Sequence, residues 1–554
     1  MTSPDEDDEF DLPSECDVLI LGTSLVESIL SAACARRGAR VVHLDSRASY
    51  GGAFGAFRAT TAREGLFVSD AGDVRSFHAP FGACVREETG EVDEEACRRL
   101  QTETSRATPS PTRGYSIDLG APKLVLGADA FCEALVRSGA HKYLEFKPVE
   151  RTFVYDDGVA RAVASNRNDV FKDKTLTGAE KRALMRFLKI VHNVAMRDET
   201  SRRRSGKSGE ETNVAVGAPG SEWGGEAAAE DGSGGDDLEV RDGETMDAFL
   251  TRQGLTPKLR AAVTYALALQ TRADCSAVDA LEDLKVYILS VAKYGPQTGA
   301  CLIPVYGSGD IPQAFCRVGA VKGATYVLRQ AVRDVDINAD EVMSVTSKGG
   351  QEIRVRHVVM HEPTNEQSSH VLVHAACVLD GPLVPEYGQM LVVFPPGSVS
   401  ATQTGVIRAL QIGSHTGCCP DGKYLLYLSN IVARDSTDPY ADVKAALDAM
   451  TRRVAEDASS ILSSIFGEEY AKPEILWGTM YVQNASTSED ATCTSSNVAL
   501  CPGADDLATY QGAIRAARRA YAKLFGDTDE LFPAEEERPR DDGDEEIDAM
   551  LEQN

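Results

Sequence analysis

Residues 16–57 read CDVLILGTSLVESILSAACARRGARVVHLDSRASYGGAFGAF. The apolar run from Val18 to Leu21 ends at a glycine, which is typical of a buried parallel strand. Apolar residues at helical spacing follow as far as Gly38, and a second apolar run extends from Val41 to Leu44. Two parallel strands need a crossover of this kind. The stretch therefore predicts a β-α-β unit within an α/β fold that has a parallel sheet.

The turn between the first strand and the helix departs from the pattern that binds a dinucleotide. That pattern has three glycines, which make the tight turn, admit the pyrophosphate and let the helix pack on the strand. Here the three positions hold Gly22, Ser24 and Glu27. Glu27 brings a carboxylate to the helix N-terminus that attracts a phosphate, although Asp45 does occupy the position of a ribose-binding acid. We expect dinucleotide-type architecture without a bound cofactor.

The composition is that of a folded, acidic protein. A chain of 554 residues has room for two or three domains, and its hydrophobic fraction of 43% is ordinary. The net charge of -28 argues against a general nucleic-acid-binding protein and against non-specific attraction to anionic membranes. Acidic residues are concentrated at both ends, so we interpret residues 1–15 as a disordered N-terminus and residues 527–554 as a solvated tail.

The cysteines are informative about the cellular compartment. All 13 are scattered without C-x-x-C spacing, and only Cys418 and Cys419 are adjacent. This distribution favours reduced thiols in a cytosolic protein over a disulfide framework or a zinc site. No stretch is apolar enough to span a membrane, and the acidic N-terminus differs from a signal peptide. We expect a cytosolic protein without stable membrane insertion.

Insertions interrupt the α/β body. Residues 86–113 are polar and predict a loop insertion. Residues 168–293 show helical periodicity with capping signals and predict an all-helical subdomain. Within it, residues 201–244 are rich in Gly, Ser, Glu and Asp and predict a disordered insertion. The helix faces mix Ala with Leu, so a closed core of small residues is the simpler interpretation and a groove between helices is the alternative.

Other elements are predicted from the same signals. A helix over 129–138 ends at Gly139, a strand is expected over 143–146, and the Asp-Gly pair at 157–158 predicts a hairpin. Further helices are expected over 276–294, 312–319, 440–466 and 504–525.

One helix of the insertion carries an unusual charge pattern. Thr177 and Glu180 form a capping box ahead of it. Its polar face bears Arg182, Arg186 and Lys189, which by themselves are most simply interpreted as solvated surface.

No catalytic constellation emerges from the sequence. His43, His78, His141 and His192 lack partner patterns for metal binding or nucleophilic catalysis. Ser308 lies in a glycine-rich turn that is not a nucleophile elbow. We expect structural roles for these residues.

Three stretches resemble the family of Rab GDP-dissociation inhibitors and Rab escort proteins. They are residues 17–52, 118–154 and 294–328, and in the third the block YGSGDIPQAFCRVGAVKGATYVL is similar to the family signature over nearly its full length. The resemblance implies a flavoprotein-like, FAD/NAD(P)-binding-type α/β domain that requires no flavin, plus the inserted helical domain. The large domain would comprise residues 16–167 and 294–526 and bind Rab.

The resemblance also implies which residues bind GDP-bound Rab GTPases. The family's Rab-binding positions fall on Tyr50, Asp310, Arg317 and Val327. Asp310 replaces the usual glutamate and keeps its charge, whereas Val327 replaces a methionine of the inhibitor branch and has less bulk. The helical domain would hold the geranylgeranyl lipid of the Rab.

A further stretch resembles the escort branch of the family. Residues 169–191 read DVFKDKTLTGAEKRALMRFLKIV. In that branch a phenylalanine and an arginine bind Rab geranylgeranyltransferase, and these positions fall on Phe171 and Arg182. An aromatic anchor beside an exposed arginine is a common pairing in interfaces. The alternative is that Phe171 packs under the helix start and Arg182 is merely solvated.

The resemblance thus implies a non-catalytic accessory protein. It would bind GDP-bound Rab, present it to the transferase α/β heterodimer for prenylation of its C-terminal cysteines, and chaperone the product from the cytosol to membranes. No cofactor or metal is expected. A Rab GDP-dissociation inhibitor that recycles prenylated Rabs is the alternative, and a flavin-dependent oxidoreductase is the alternative from another class.

Overall fold

A computed structural model describes residues 12–52, 55–58, 74–78, 114–118, 120, 122–164, 166–204, 238–295, 298–338, 341–362, 368–451, 472–486, 495–526 and 530–533. The predicted loop insertion at 86–113 lies entirely outside the described residues. In chain order the strands are β1 Glu15–Leu21, β2 Val41–Asp45, β3 Ala56–Arg58, β4 Val74–His78, β5 Ser116–Asp118, β6 Val125–Leu126, β7 Phe146–Pro148, β8 Arg151–Asp156, β9 Val159–Ala162, β10 Cys301–Pro304, β11 Thr325–Leu328, β12 Val332–Asn338, β13 Glu341–Ser347, β14 Glu352–His361, β15 His370–Leu379, β16 Met390–Phe394, β17 Ile407–Gly413, β18 Tyr424–Ala433, β19 Ile475–Asn484 and β20 Val498–Cys501.

The helices are numbered separately. They are α1 Leu25–Arg36, α2 Ala130–Ser138, α3 Arg167–Lys172, α4 Gly178–Arg204, α5 Met246–Arg252, α6 Pro257–Ala261, α7 Ala277–Ser290, α8 Asp310–Val321, α9 Ala441–Met450 and α10 Gln511–Phe525, and a π-helical segment, Ala262–Leu267, continues α6. Among the described residues, no helix has the length and apolar character needed to cross a bilayer.

The first sheet confirms the predicted α/β fold. Its order is β11-β2-β1-β14-β13-β12, with β20 pairing with β14. β1, α1 and β2 form the expected β-α-β unit, in which Val18 pairs with Val41 in parallel register. The parallel part comprises β11, β2, β1, β14 and β20, and β12 and β13 add an antiparallel arm. One face of this sheet packs on α1, α8 and α10, which share a hydrophobic cluster.

A second sheet joins the body to the helical region. Its order is β4-β19-β15-β18-β17-β16-β8-β9, and all pairs except β16 with β8 are antiparallel. One face shares a hydrophobic cluster with α4, α5 and α7, and the other face packs against α9. The guanidinium of Arg408 on β17 is buried and donates to the carbonyls of Leu269 and Gln270 at 2.8 and 3.0 Å. These hydrogen bonds connect the residues that follow the π-helical segment to the second sheet.

The faces of the helical region are packed closed. Phe187, Leu188, Phe249 and Leu284 are each at most 2% exposed. The rings of Phe187 and Phe249 meet edge to face at 6.3 Å. These contacts agree with the closed-core interpretation of the alternating Ala and Leu pattern.

One predicted turn is confirmed and the bounds of two predicted elements differ. The hairpin is confirmed, since Asp157 and Gly158 both have positive φ between β8 and β9. The strand over 143–146 was wrong, because a 3-10 helix occupies 140–143 and β7 begins only at Phe146. Helix α7 stops at Ser290 rather than near Gly295, because Val291 is extended and Ala292 has positive φ.

Two long helices are shorter than their periodicity predicts. α9 ends at Met450 because Thr451 is extended, and 452–466 lies outside the described residues. α10 begins at Gln511 rather than near 504, because Asp505 accepts hydrogen bonds in the loop before it. By contrast, α8 covers all of the predicted range 312–319 and extends beyond both of its ends.

The predicted disordered segments are ordered at their edges. α4 continues through Arg204, and residues 238–244 are held by an ion pair between Arg252 and Glu244, so 201–244 was too wide a range. At the N-terminus, Leu12 is already buried ahead of β1. At the C-terminus, Leu531 and Phe532 are buried, and the ring of Phe532 stacks on Phe315 of α8 at 6.1 Å. Apolar side chains at these edges pack in the core, and composition alone does not predict such contacts. Residues 1–11, 205–237 and 534–554 lie outside the described residues.

Candidate interaction surfaces

The strand-to-helix turn is closed by side chains of the protein itself. Asp45 accepts hydrogen bonds from the backbone N–H and the hydroxyl of Thr23 at 2.8 and 2.6 Å, and from the N–H of Arg47 at 2.8 Å. Gly51 donates to the carbonyl of Thr23 at 3.1 Å. Both oxygens of the acid that would take a ribose are therefore engaged within the protein.

The position that would take a phosphate is equally unfavourable. Glu27 is 1% exposed; one carboxylate oxygen lies 3.2 Å from Nδ1 of His361, and the other has no hydrogen-bond partner among the described residues. A Cβ on Gly52 would lie 3.0 Å from Cβ of Ser24, so the chain after Tyr50 lies directly against the turn. A buried carboxylate repels phosphate at a helix N-terminus. These residues do not fit a dinucleotide.

Helix α8 carries two of the four predicted Rab-binding residues. Asp310 is its first residue and is partly exposed. Arg317 lies two turns later, is exposed, and places its guanidinium 4.5 Å from the ring centre of Tyr143. Stacking on an aromatic ring restricts a long arginine side chain. α8 thus presents a carboxylate and an oriented guanidinium along one surface.

The other two predicted residues lie in different environments. Tyr50 is half-buried, with its ring 6.4 Å from that of Tyr326, and burial raises the pKa of its hydroxyl. Val327 is only 6% exposed, and it pairs with Leu44 and packs within the core of the sheet. The structure therefore leaves Tyr50 accessible near α8 and encloses Val327.

A buried acid that the sequence did not single out holds the start of α8. Asp118 accepts hydrogen bonds from the N–H and the hydroxyl of Ser308 at 2.9 and 3.1 Å. Tyr510 donates to the same hydroxyl at 3.1 Å, so Ser308 has a structural role. Burial raises the pKa of Asp118 to about 7, although the hydrogen bonds from Ser308 oppose the rise. No periodic or motif signal marks Asp118, because its partner lies 190 residues away.

The two residues predicted to contact the transferase lie on α3 and α4, which Lys181 joins. Phe171 is 58% exposed at the end of α3, so the alternative that it packs under the helix start is wrong. Lys181 on α4 donates to the carbonyl of Phe171 at 2.8 Å and joins the two helices. Arg182 is the fifth residue of α4, directly after Lys181, and is exposed. Both predicted side chains are thus exposed on two helices that are joined to each other.

The predicted capping box fixes the start of α4. The N–H of Thr177 donates to Glu180 at 2.8 Å, and the N–H of Glu180 donates to the hydroxyl of Thr177 at 3.3 Å. Burial by itself would raise the pKa of Glu180, but hydrogen bonds from Thr177, Lys258 and Thr256 outweigh it and lower the pKa to about 2.

Further exposed cations lie on α3, on α4 and on the loop between them. Five exposed basic side chains, which we call the basic strip, lie on α3, α4 and the loop between them: Lys172, Lys174, Arg182, Arg186 and Lys189. Within the described part of the chain, none of them has an acidic partner within 4.0 Å. Arginines elsewhere on the surface, such as Arg40 and Arg137, do pair with carboxylates. Unpaired cations on an acidic protein are candidates for an interface.

Comparison with known proteins defines the family. The GDP dissociation inhibitor family model matches residues 94–205 and 222–494, so the chain belongs to that family. It is 27% identical to Rab escort protein 1 of Arabidopsis thaliana, over 98% of each chain. It is 26% identical to the Rab proteins geranylgeranyltransferase component A of Drosophila melanogaster, over 94% of this chain and 90% of that one.

A solved structure supports the fold. The crystal structure of a Rab GDI from Plasmodium falciparum superposes with a TM-score of 0.64 at 18% sequence identity, covering 94% of this chain and 100% of the other.

Proposed function

We propose that this protein is a Rab escort factor, which binds GDP-bound Rab GTPases and presents them to Rab geranylgeranyltransferase. The observation that carries the proposal is the surface of α8, where Asp310 and the stacked Arg317 are exposed on a helix whose start is fixed by Asp118. Family membership and the names of relatives that match nearly end to end support the same assignment.

The Rab-binding surface comprises Tyr50, Asp310 and Arg317. A carboxylate and a guanidinium with restricted geometry provide directional contacts to a folded partner. Val327 is left out of this surface, because its side chain packs in a hydrophobic cluster with Val42 and Leu44, whereas α8 and Tyr326 belong to another cluster.

The transferase contact comprises Phe171 and Arg182. Phe171 supplies an aromatic anchor and Arg182 a neighbouring charge, a pairing enriched in interfaces. The remaining residues of the basic strip complement an acidic surface on the transferase and accelerate encounter.

The protein acts without catalysing the transfer itself. Prenylation of the Rab cysteines belongs to the transferase, and this chain binds, orients and then shields the lipid-bearing product. The geranylgeranyl lipid is held in the helical region, which requires the closed packing of α4, α5 and α7 to part. Burial contributes about 0.8 kcal/mol for each CH2 group, so partial shielding already competes with a membrane. The cytosol is the site of action, with transient visits to membranes.

The experiment is prenyl transfer in a purified mixture of GDP-loaded Rab, transferase and labelled geranylgeranyl diphosphate, with and without this protein. Label on the Rab only when the protein is present supports the proposal. Phe171→Ala combined with Arg182→Ala is expected to abolish transfer and to retain Rab binding. A matched control, Met343→Ala with Lys348→Ala, removes one exposed apolar and one exposed basic side chain from β13 and its turn and is expected to retain both.

A Rab GDP-dissociation inhibitor is the second candidate, because the family model carries that description. Release of prenylated Rab from membranes without any support of transfer would assign the protein to that branch. Absence of binding to every GDP-loaded Rab tested would refute both candidates.

A further inference from the structure

Tyr306 is held in a backbone conformation that tyrosine rarely adopts. Its φ is 70°, and it is the one aromatic residue among the non-glycine residues with positive φ that the structure describes. A bulky side chain at positive φ is strained, and such strain persists only where surrounding contacts impose it. The ring itself is 58% exposed, so its burial does not offset the strain.

The surrounding contacts impose this conformation from several sides. The N–H of Tyr306 donates to the carbonyl of Thr416 at 2.7 Å, and its carbonyl accepts from the hydroxyl of Ser116 at 3.1 Å. The next residue, Gly307, has φ of 108°, and a Cβ there would lie 2.8 Å from a carboxylate oxygen of Asp118. The strand β5 and the loop after β17 thus lock the backbone of Tyr306.

One edge of the ring lies against a glycine. A Cβ on Gly417 would lie 2.6 Å from Cε1 of Tyr306. The Cδ1–Cε1 edge of the ring therefore lies close to the main chain at Gly417, while more than half of the residue remains exposed. The fixed backbone and this edge contact restrict the motion of an exposed aromatic side chain.

This ring adjoins the surface of α8. The N–H of Asp310 donates to the carbonyl of Gly307 at 3.3 Å, so Tyr306 lies one turn before the start of α8. The N–H of Val305 donates to the carbonyl of Glu145 at 2.9 Å, which joins the strand before Tyr306 to the segment that carries Tyr143. Tyr143 in turn stacks on Arg317. Tyr306, Asp310 and Arg317 are therefore linked by these backbone hydrogen bonds and by the ring of Tyr143.

We propose that Tyr306 is a contact residue for the GDP-bound Rab GTPase, and that its ring is an aromatic anchor at the Asp310 end of the α8 surface. This inference rests on the proposed Rab binding and adds to it a residue and a physical reason. An immobilised ring loses little conformational freedom on binding, which is why rigid aromatic side chains dominate interface energies.

The role of Tyr306 can be tested with substitutions that relieve its backbone strain and remove its ring. Glycine adopts positive φ freely, so Tyr306→Gly is expected to leave the thermal midpoint unchanged or raised while weakening the affinity for GDP-loaded Rab about ten-fold or more. Tyr306→Asn is the second variant, because asparagine tolerates this conformation and retains a polar side chain. Calorimetric titration with a purified GDP-loaded Rab and thermal unfolding measure the two quantities.

The controls separate this inference from the proposed function. Asp157→Gly relieves the same kind of strain in the hairpin turn of β8 and β9 and is expected to leave Rab affinity unchanged. Arg317→Glu tests the α8 surface itself. Unchanged affinity in both Tyr306 variants, with loss in Arg317→Glu, overturns the role of Tyr306 and leaves Rab binding standing. A fall of affinity and thermal midpoint together in both Tyr306 variants also overturns it, because the tyrosine then acts through the fold. A parent protein that binds no Rab overturns both.

Discussion

Gly319 shows how a single atom can decide the effect of a substitution. It lies within α8, and a Cβ there would collide with the hydroxyl oxygen of Tyr326. That hydroxyl shares a hydrogen bond of 2.7 Å with Ser31 on α1. In an open helix interior, replacing glycine with alanine stabilises by about 1 kcal/mol. At Gly319 the collision of the added Cβ with the Tyr326 hydroxyl opposes this gain in stability.

We expect Gly319→Ala to destabilise the protein by about 1–3 kcal/mol, because the added methyl overpacks the contact of α8 with Tyr326. Tyr326→Phe removes the colliding oxygen, so the double variant should regain most of the loss. Urea unfolding of the two single variants and the double variant measures the coupling. Gly349→Ala is the matched control, since its Cβ would meet only ordinary contacts, the nearest at 3.8 Å from Ser347. A stabilised Gly319→Ala protein would contradict the collision.

Asp118 makes stability depend on pH. Burial raises its pKa in the folded protein to about 7 from an ordinary value of 3.8. A raised folded pKa means that folding takes up a proton. The contribution of this carboxyl to stability is therefore full below about pH 4, declines as the pH rises towards 7, and is lost above it.

We expect Asp118→Asn to reduce the loss of stability between pH 5 and pH 8, because asparagine carries no charge and its oxygen can still accept from the N–H of Ser308. The difference in pH dependence should be on the order of 1–3 kcal/mol, given 1.36 kcal/mol for each pKa unit. Urea unfolding of the parent and the variant at both pH values measures it. If the free energy of unfolding changes equally with pH in the parent and in the variant, Asp118 does not titrate in this range.

The basic strip belongs to the junction of α3 and α4 rather than to any one side chain. Its members come from two helices that Lys181 and the capping box hold together. Charges that share one surface act mainly on the rate of encounter, and salt screens them.

We expect Arg186→Glu combined with Lys189→Glu to slow association with the transferase roughly ten-fold at low salt, with a smaller effect at high salt. Rab affinity should not change, because the strip lies outside the α8 surface. Surface plasmon resonance at several salt concentrations measures the association rate. Lys348→Glu, on the turn after β13, is the control. An effect confined to the dissociation rate would argue against electrostatic steering.

Most helices and strands follow from local signals. The β-α-β unit, the hairpin at Asp157 and Gly158, and α8 are determined by apolar periodicity and glycine positions, which need no tertiary information. The predicted ends of α7, α9 and α10 differ from those in the structure, because backbone conformation or loop hydrogen bonds end these helices while the apolar spacing continues. The buried pair Leu531 and Phe532 was missed because it packs on a helix more than 200 residues earlier.

Arg408 connects the second sheet to the helical region. Its guanidinium is buried between the second sheet and the π-helical segment, and burial lowers its pKa to about 10, although the charge of Asp506 opposes this. It donates to two carbonyls of the helical region. Removing it would leave buried carbonyls without their donor.

We expect Arg408→Met to destabilise the protein by about 2–4 kcal/mol and to accelerate hydrogen exchange over residues 262–270 more than in α1. Mass-spectrometric exchange resolves the two regions. Arg356→Met removes an exposed arginine whose nearest carboxylate is 3.6 Å away, and it should change stability by less than about 0.5 kcal/mol. Equal acceleration in α1 and in 262–270 would mean that Arg408 supports the fold in general rather than the junction.

The sequence by itself determined the α/β class, the helical insertion, the loss of the dinucleotide pattern and the family, because these depend on periodicity, residue type and motif order along the chain. The tertiary structure alone decided which of the predicted site residues are exposed. It buried Val327, exposed Phe171, placed Asp118 under α8 and strained Tyr306 beside it. The physical reason is that exposure, burial and backbone strain arise from contacts between residues far apart in the chain, and local spacing carries no record of those contacts.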